Sequence, residues 1–394
     1  MATSDRHNPK GLRRRLYVPL LLIPLVGVYV WLSIALSTAD VAAHSHLLPV
    51  EHDPYFVKNH PHVFQSNIPG VCDVPPGQGE EGPNGIQALY KIRAANDAPI
   101  PRVKIFCMVY THSNRHDVLQ AIVETYATNC DGFLAASNVT DPTLGAYNLP
   151  HIGPEAYENM WNKVQAMWLF VHDHYLLEFD WFHIGGDDMY VIPDNIRRMN
   201  FTQKRPMILG GSIPNGKNPK RRYCGGGAGY TLNRHALHRL VQQFSSGECP
   251  ATMASDEDVR LSRCLEDVGV QCQDTNDEAQ DVRYHALDAQ FHASWVPTRN
   301  SVWLWEKLQY FHNIRGNQSK LEQISNTTVS FHLDKTIVRS RARDRGLRRY
   351  HAILYDKCGN EFTKQVMKAA TCSKEERDQF FTQWKLLPKA NENR

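Results

Sequence analysis

The most informative segment of this chain reads Asp180-Trp181-Phe182-His183-Ile184-Gly185-Gly186-Asp187-Asp188-Met189-Tyr190-Val191. In it an apolar run ends at two adjacent carboxylates, Asp187 and Asp188, and an apolar run then resumes. Paired carboxylates at the end of a buried strand are costly unless a positive charge neutralises them. Mg²⁺ and Mn²⁺ prefer carboxylate oxygens and also hold substrate phosphates, and open α/β sheets bind ligands at the carboxyl ends of their strands. The segment therefore predicts a metal–diphosphate site, with a surface turn that carries two solvated acids as the alternative.

Strands and helices alternate on both sides of this segment. The hydrophobic pattern predicts strands at 103–110, 132–137, 180–184 and 206–210, and helices at 117–128, 155–178, from Asn233 to Phe244, and from Ser255 onward. The stripe of aromatic and apolar residues at 155–178 has helical spacing and is expected to pack in the core. Alternation of this kind predicts one α/β domain with a mostly parallel sheet.

A glycine-rich passage, Cys224–Tyr230, leads into a further predicted strand. Glycines allow the backbone to approach a ligand closely at such a position. The passage is not a phosphate-binding P-loop, because no Gly-Lys-Ser/Thr follows it. Further along, Ser255 and Asp258 fit an extended capping box, so the ordinary role of Asp258 is compensation of charge at a helix N-terminus.

The N-terminus predicts the compartment. Residues 16–36 carry no charge and follow three arginines at 13–15, which suffices for one membrane-spanning helix of about 20 residues. The positive-inside rule then predicts a cytoplasmic tail at 1–15, an anchor at 16–36 and a lumenal remainder. A cleaved signal peptide is the alternative, but its apolar region would be only about 7–15 residues long. Residues 37–100 are rich in His, Pro, Gly and Asn and predict a stem.

Sequons and cysteines agree with a lumenal location. All nine cysteines lie beyond the predicted anchor, which fits an oxidising compartment. The odd number leaves at least one cysteine unpaired or pairing between chains. The Asn-X-Ser/Thr sequons also lie on the lumenal side, and they are Asn138, Asn200, Asn317 and Asn326.

The net charge of +3 says little about partners. Basic residues cluster at 217–222 and at 339–349. A nucleic-acid role would require a recognisable binding fold and access to the cytosol or nucleus, and the predicted anchor argues against that access. Both clusters are therefore expected to be solvated surface, with attraction to acidic substrates or membrane headgroups as the alternative.

Five segments, taken in order, resemble glycosyltransferase family 31, and most closely its core 1 β1,3-galactosyltransferase branch. The segments are Lys163–Tyr175, Trp181–Val191, Cys224–Tyr230, Glu257–Leu261 and Val329–His332. The resemblance implies an α/β catalytic domain with the GT-A fold at 101–340, in a single-pass type II enzyme of the Golgi or ER–Golgi membrane. Residues 341–394, where the likeness fades, are then expected to form a partly helical C-terminal extension.

The resemblance also implies a UDP-sugar donor and a Mn²⁺ ion, or Mg²⁺, that bridges the protein to the donor diphosphate. Asp188 would be the principal metal ligand with Asp187 beside it, and His332 would complete the protein ligands, unless it is an ordinary core histidine. The metal would act as a Lewis acid on the leaving UDP. Asp258 matches the candidate general base that takes the proton of the acceptor hydroxyl, and Glu257 is the second candidate.

One position departs from the family pattern. The family usually has three acids in a row, and Gly186 stands here at the first of the three. In GT-A enzymes the first acid typically helps to hold the nucleotide sugar, so its loss predicts changed nucleotide affinity, or a weak or inactive paralogue. The last acid is retained, and activity is therefore the favoured hypothesis.

Further contacts are suggested with ordinary structural roles as alternatives. The donor-binding candidates are Thr111, Lys163, Gly226 and Gly227, and the acceptor-binding candidates are Trp303 and Trp305. The threonine can instead cap a helix, the lysine can be solvated, and two tryptophans spaced by two can point into the core from one strand face. By family position Cys107–Cys130 and Cys224–Cys249 are the expected disulfides, and proximity suggests Cys264–Cys272 and Cys358–Cys372. Cys72 is then left over in the stem and can link two chains as a homodimer.

The expected function is the inverting transfer of galactose from UDP-galactose, in β1,3 linkage, to O-linked N-acetylgalactosamine of glycoproteins. A fringe-like β1,3-N-acetylglucosaminyl- or glucuronyltransferase is the alternative within the same fold. An inactive, chaperone-like paralogue is the alternative outside catalysis, suggested by Gly186.

Overall fold

The fold is taken from a computed structural model. The described residues are 62–94, 99–199, 201, 204–215, 218–294, 321, 323–333 and 343–372, and they belong to one compact unit that spans Asp53–Arg394. No helix within these ranges is both long and apolar enough to cross a lipid bilayer. The predicted anchor at 16–36 lies outside them, as do Asn200, Trp303, Trp305 and Asn317.

The order of elements alternates between strands and helices. The strands are β1 Ile105–Tyr110, β2 Gly132–Ala136, β3 Ala146–Tyr147, β4 Trp181–Gly186, β5 Met189–Val191, β6 Ile208–Gly210, β7 Ser212–Asn215, β8 Asn218–Cys224, β9 Tyr230–Asn233, β10 Cys272–Gln273, β11 Tyr284–His285 and β12 Ser330–His332. The α-helices are α1 Gly82–Ala94, α2 His116–Glu124, α3 Met160–Tyr175, α4 Pro193–Arg198, α5 Arg234–Ser246, α6 Glu257–Glu266, α7 Ala289–Ser294, α8 Arg343–Leu354 and α9 Asn360–Thr371. Short 3₁₀ turns occupy Ser113–Arg115, Tyr126–Asn129, Pro142–Leu144 and Tyr157–Asn159.

The central sheet has seven strands in the order β10-β6-β9-β4-β1-β2-β3. Strand β1 pairs in parallel with β2 and β4, β2 with β3, and β10 with β6. Only β9 is antiparallel to its neighbours in this sheet, β4 and β6. The prediction of an α/β domain with a mostly parallel sheet is confirmed.

A smaller three-stranded sheet, β11-β12-β5, brings a late segment beside the acidic pair. Strand β12 runs antiparallel to β5, and its register places His332 directly opposite Met189. Met189 is the residue that follows Asp188. This pairing joins two parts of the sequence that are far apart, and it fixes the geometry of the candidate site described below.

Local sequence signals explain most element boundaries. Strand β1 is buried almost throughout, as its apolar run predicts. Helix α3 buries one long stripe that includes Trp161, Val164 and Trp168, which confirms that this stripe is core packing. Helix α5 begins at the predicted cap, where the Asn233 side chain accepts a hydrogen bond from the backbone N–H of Ala236 at 2.9 Å.

The prediction of a stem for 37–100 is wrong over 62–94. Helix α1 buries Ile86, Leu89 and Ile92 completely and packs against α7, α8 and α9. Its apolar residues have helical spacing, but their partners lie some 200 or more residues away in the sequence. The helix was not predicted, because the abundant Pro and Gly residues around it indicated an irregular stem.

The C-terminal segment is also part of the core, so the domain boundary predicted near residue 340 is wrong for 343–372. The prediction that this segment is partly helical is confirmed by α8 and α9. Arg348 and Arg349 on α8 are buried and form ion pairs with Glu124 and Glu81, respectively. The basic run at 339–349 is therefore not a solvated surface at these two positions, because each guanidinium has an acidic partner from a distant element.

Four disulfides are present, and one of them was predicted correctly. Cys107–Cys130 joins the neighbouring strands β1 and β2 through the turn before β2. The other pairs are Cys72–Cys358, Cys224–Cys272 and Cys249–Cys264, so the predictions Cys224–Cys249, Cys264–Cys272 and Cys358–Cys372 are wrong. Cys224 packs against Gly210 at the end of β6, and β6 pairs with the strand that carries Cys272. Helix α6, which carries Cys264, packs against α5, and Cys249 follows α5 in the chain.

Cys72 does not link two chains, because it is bonded to Cys358 with a Cα–Cα distance of 5.4 Å. This bond ties the segment before α1 to the loop between α8 and α9. Among the described cysteines, Cys372 is the one without a disulfide partner. Cys72 is therefore not available to join two chains into a homodimer.

Candidate active site

Asp187 and Asp188 form the turn between β4 and β5, at the carboxyl end of β4. Parallel pairing sets Gly186 beside Tyr110, the last residue of β1, so the loop after β1 begins next to the acidic turn. From the other side β12 brings His332. The carboxyl ends of two central strands and one strand of the smaller sheet thus converge here, as expected for a ligand site of an α/β sheet.

Residues that follow β1 hold the Asp187 side chain in place. Its Oδ2 accepts a hydrogen bond from the Thr111 hydroxyl at 2.7 Å and another from Arg115 Nε at 2.8 Å. Burial raises the pKa of Asp187 and the Asp188 charge adds to the rise, while Arg115 and Thr111 act in the opposite direction. Asp187 is consequently a nearly buried group whose Oδ2 already accepts hydrogen bonds from two protein donors.

Asp188 is more exposed and faces the imidazole. His332 Nε2 lies 3.4 Å from Asp188 Oδ2, and Arg343 Nη2 lies 3.8 Å from the same oxygen. Burial acts to raise the pKa of Asp188, but the hydrogen bond and charge of His332, together with Arg343, outweigh it and hold the pKa below its usual value. Asp188 therefore carries its negative charge at neutral pH.

The tautomer of His332 has a chemical consequence. Its Nδ1 lies 3.1 Å from the carbonyl oxygen of Ala286, an acceptor that can only be satisfied if Nδ1 carries a proton. In the neutral ring this leaves a lone pair on Nε2 facing the carboxylate oxygen of Asp188. Two acceptors cannot face each other at this distance without a proton or a cation between them. A backbone carbonyl that fixes the tautomer is also the usual support for a metal-bound histidine.

The donor set fits a cation that is completed by substrate. Within the described ranges no group of three or more His, Cys, Asp or Glu side chains could hold a metal on its own. Mg²⁺ and similar hard ions, however, are commonly held by only one or two carboxylates together with substrate phosphates. Asp188 Oδ2 and His332 Nε2, which lie 3.4 Å apart, are the two groups that would hold such an ion.

Gly186 leaves no room for the missing acid. A Cβ atom added at Gly186 would lie 2.7 Å from Asp188 Oδ1 and 3.1 Å from Tyr110 Cε2. The place of the first acid in the family pattern is thus occupied by the neighbouring carboxylate and a tyrosine ring. An acidic side chain at this position would require Asp188 to move.

The second pair of acids lies at the start of α6, across the glycine passage. Asp258 Oδ2 accepts a hydrogen bond from the backbone N–H of Gly226 at 2.7 Å, so its carboxylate is directed at the passage and not at Ser255. Burial raises the pKa of Asp258, although the N–H groups of Gly226 and Val259 oppose the rise. A half-buried carboxylate of this kind is a better proton acceptor than a solvated aspartate.

Glu257 differs from its neighbour. It is almost completely buried, and its two oxygens accept hydrogen bonds from the hydroxyls of Tyr230 at 2.6 Å and Tyr110 at 3.5 Å. Burial and the Asp258 charge raise the pKa of Glu257 to about 8. Because Glu257 is enclosed and mostly protonated at neutral pH, Asp258 is the better placed of the two to act on a substrate.

The glycine passage connects the two acidic centres. Gly226 contacts Asp258, and a Cβ added at the next residue, Gly227, would lie 2.6 Å from His332 Nδ1. Neighbouring Cα atoms are only about 3.8 Å apart. Tyr110 also lies between the centres, since its hydroxyl is 3.5 Å from Glu257 Oε1 and its Cε2 would be 3.1 Å from a Cβ atom at Gly186. Asp258 and the Asp188–His332 pair therefore lie beside two neighbouring residues of the glycine passage.

The remaining predicted donor contacts have structural partners. Thr111 binds Asp187, as described above. Lys163 is buried on α3, and its ammonium donates to the Thr111 carbonyl at 2.7 Å and pairs with Glu155. Lys163 thus stabilises the loop that holds Asp187. Its ammonium binds protein groups behind that loop and not the position predicted for a phosphate contact. Of the sequons, Asn326 is exposed, and Asn138 is half-buried with its Oδ1 bound to the N–H of Ser113.

Several residues that contact the two acidic pairs were not predicted from the sequence. Tyr110 and Tyr230 end or begin strands that were predicted, but nothing in their local pattern distinguishes them from core tyrosines. Arg115 lies in a polar loop. Arg343 belongs to the basic run that was expected to be solvated, and its approach to Asp187 and Asp188 depends on the packing of α8.

Comparisons with known proteins show similarity to glycosyltransferases. The chain is 33% identical over 179 residues to glycoprotein-N-acetylgalactosamine 3-beta-galactosyltransferase 1 of Xenopus laevis, a match that covers 45% of this chain and 48% of that protein. It is 33% identical over 115 residues to chondroitin sulfate synthase 3 of Homo sapiens, covering 26% of this chain and 13% of that protein. It is 34% identical over 107 residues to chondroitin sulfate glucuronyltransferase of Homo sapiens, covering 26% and 14%, respectively. No protein-family model matches the chain.

These relatives indicate a class of enzyme, the glycosyltransferases. The chain spans about half the length of the first relative and much less of the others. The mixed α/β architecture with its mostly parallel sheet fits a glycosyltransferase fold, and the relatives are consistent with a family 31-like glycosyltransferase.

Proposed function

We propose that this chain is an inverting, cation-assisted β1,3-galactosyltransferase with a GT-A fold, which transfers galactose from UDP-galactose to O-linked N-acetylgalactosamine of glycoproteins. The observation that carries the proposal is the convergence of Asp188, His332 and Asp258 around the glycine passage. The relative named glycoprotein-N-acetylgalactosamine 3-beta-galactosyltransferase 1 supports the choice of donor and acceptor. The uncharged run at 16–36 supports a type II anchor in a Golgi membrane.

Asp188 and His332 would hold a Mn²⁺ or Mg²⁺ ion, with the donor diphosphate supplying further oxygens. When bound, the cation neutralises the charge that develops on the leaving UDP. Asp187 would orient the turn that carries Asp188, because its Oδ2 accepts hydrogen bonds from both Thr111 and Arg115. The backbone of Gly226 and Gly227 would lie against the donor, since a Cβ atom at these two positions would collide with Glu257 and His332, respectively.

Asp258 would act as the general base. As the acceptor hydroxyl oxygen forms its bond to the anomeric carbon, the bond from that carbon to the UDP oxygen breaks, and UDP leaves with the electron pair. The proton of the hydroxyl passes to the Asp258 carboxylate, whose raised pKa makes it a stronger base. Attack from the face opposite to UDP inverts the configuration, and the product is a β-glycoside.

A test uses the full-length chain with UDP-galactose, Mn²⁺ and a peptide carrying α-linked N-acetylgalactosamine. The expected result is a β1,3-linked disaccharide from the wild-type chain and a loss of about 100-fold or more for Asp188→Asn. Asp173→Asn is a matched control, because Asp173 is an exposed acid on α3 that pairs with the neighbouring His172. Absence of transfer to every acceptor from UDP-galactose would reject the proposal.

A second candidate is transfer of glucuronic acid within the same fold, which the relative named chondroitin sulfate glucuronyltransferase favours. A donor panel separates the candidates, because UDP-galactose and UDP-glucuronate differ in one carboxylate and one hydroxyl configuration. An inactive paralogue is separated by calorimetry, since it would show no Mn²⁺-dependent binding of UDP. Retention of Asp188, His332 and Asp258 around the glycine passage argues for activity despite Gly186.

A further inference from the structure

Two arginines flank the acidic pair. Arg115 Nε lies 2.8 Å from Asp187 Oδ2, and Arg343 Nη1 lies 3.5 Å from the other oxygen of the same carboxylate. Arg343 also reaches Asp188, with Nη2 at 3.8 Å from its Oδ2. The charges of the two carboxylates are thus already balanced by two guanidiniums before any ligand binds.

Gly186, directly before the two acids, adds no negative charge to this balance. With Gly186 in place, only two carboxylates face two guanidiniums and an imidazole. The attraction for a divalent cation is weaker than three acids would give, whereas the attraction for an anion is stronger. The glycine at position 186 and the position of Arg343 therefore both favour binding of an anion over binding of a divalent cation.

Each guanidinium has an N–H group that makes no hydrogen bond within the described part of the chain. Arg343 Nε and Arg115 Nη2 are buried and have no hydrogen-bond partner in the part of the chain that the structure describes. The contacts of Arg343 with the two acids are longer than an ordinary charge-assisted hydrogen bond, so its fork is not committed to them. A planar guanidinium with free N–H groups matches the oxygens of a phosphate.

We propose that Arg343, with Arg115 behind it, binds the diphosphate of the nucleotide directly, so that nucleotide binding keeps a component that needs no divalent cation. The inference rests on the proposed function in taking a uridine diphosphate as the ligand. It has a second consequence. Arg343 competes with the cation for Asp188 when no nucleotide is present, and the nucleotide removes this competition by drawing the guanidinium to its phosphates.

Calorimetry of UDP binding to the full-length chain in EDTA tests the proposal. Wild-type chain is expected to bind UDP, and Arg343→Met to bind it about tenfold or more weakly, because a charge-assisted contact is lost. Arg343→Lys keeps the charge without the fork and should lie between the two. Arg345→Met, two residues along the same helix, removes a half-exposed arginine paired with Glu80 and should bind UDP like the wild type. Inorganic diphosphate should compete for binding, and uridine should bind all variants equally.

Two results would overturn the proposal. One is absence of UDP binding by the wild type in EDTA, and the other is equal binding by wild type, Arg343→Met and Arg343→Lys. A Mn²⁺ titration without nucleotide gives an independent readout, in which Arg343→Met should bind the ion more tightly than the wild type. Thermal unfolding of each variant shows whether it is folded, and the lysine variant serves the test if the methionine variant is not.

Failure of this inference is distinguishable from failure of the proposed function. UDP binding that depends on Arg343, without sugar transfer by the wild type, would reject the transferase and retain the arginine contact. Sugar transfer together with UDP binding that is indifferent to Arg343 would do the reverse.

Discussion

Replacing Gly227 by alanine tests the close approach between the glycine passage and the imidazole of His332. The added Cβ would lie 2.6 Å from Nδ1, 3.0 Å from Cε1 and 3.1 Å from Cγ of the ring, whereas ordinary van der Waals contact begins at 3.4 Å. The ring must therefore retreat by about 0.8 Å. This movement breaks or lengthens the 3.1 Å hydrogen bond from Nδ1 to the Ala286 carbonyl, which contributes about 1 kcal/mol.

The functional loss should exceed the loss of stability. Partners that orient a metal-bound histidine typically contribute about 10–100-fold in metal affinity, and a misplacement of about 1 Å at a reacting centre can reduce the rate about 100-fold. We expect Gly227→Ala to weaken Mn²⁺ binding and sugar transfer by these factors, while its free energy of unfolding falls by only about 1–2 kcal/mol. Mn²⁺ titration, a transfer assay and urea unfolding of the same preparation measure the three quantities.

Gly225→Ala is the matched control for this variant. Its Cβ meets only the far end of the flexible Ile213 side chain, at 2.7 Å, and that end can move. The control should keep Mn²⁺ affinity and transfer close to the wild-type values. The reasoning is refuted if Gly227→Ala is folded and its Mn²⁺ affinity and transfer rate both stay within about twofold of the wild type.

Three further predictions follow from the same geometry. Asp258→Asn should reduce transfer by about 10²–10⁴-fold with little change in UDP affinity, because the general base is lost and the donor site is intact; a rate assay with UDP calorimetry checks this, and unchanged transfer would contradict it. Glu257 has a pKa of about 8 in the folded protein against a usual 4.5, so the folded chain keeps a proton that the unfolded chain releases between these values. Stability should therefore fall as pH rises through that window, by at most about 1.4 kcal/mol per pH unit, and Glu257→Gln should remove this component; urea unfolding at several pH values measures it, and identical slopes would contradict it. Arg349→Met should cost about 3–5 kcal/mol of unfolding free energy, because it leaves the fully buried Glu81 without its partner, and a cost below about 1 kcal/mol would show that the pair is not structural.

Local patterns predicted those parts of the fold that depend on neighbouring residues. The apolar run before Asp187 became β4, the cap at Asn233 began α5, and the aromatic stripe of residues 155–178 became the buried face of α3. In each case periodicity or a capping side chain determines the element without reference to the rest of the chain.

Features that depend on long-range packing could not be predicted in this way. Helix α1 is buried by helices from the end of the chain, so its surroundings of Pro and Gly suggested a stem. The pairing of Cys224 with Cys272 depends on the strand order of the central sheet. Arg343 reaches the acidic pair only because α8 packs in the core, and a basic run gives no local sign of that.

The candidate site shows the same division. The five segments that resemble glycosyltransferase family 31 predicted Asp188, His332 and Asp258 as site residues. In the structure Asp188 and His332 lie 3.4 Å apart, and Asp258 binds the glycine passage that also contacts His332. The structural roles of Thr111 and Lys163 emerged only from their hydrogen bonds, because a buried lysine cannot be distinguished from a solvated one by its position in the sequence.

The central claim is that Asp188 and His332 together hold one cation, which also binds the diphosphate of one nucleotide. A crystal structure of the chain with UDP and Mn²⁺, with the ion located by its anomalous scattering, tests it most directly. The account predicts a single Mn²⁺ bound to Asp188 and His332 and to oxygens of the diphosphate, with Asp258 facing the sugar side of the nucleotide. UDP bound elsewhere in the protein, or a Mn²⁺ ion that contacts neither residue, would contradict it.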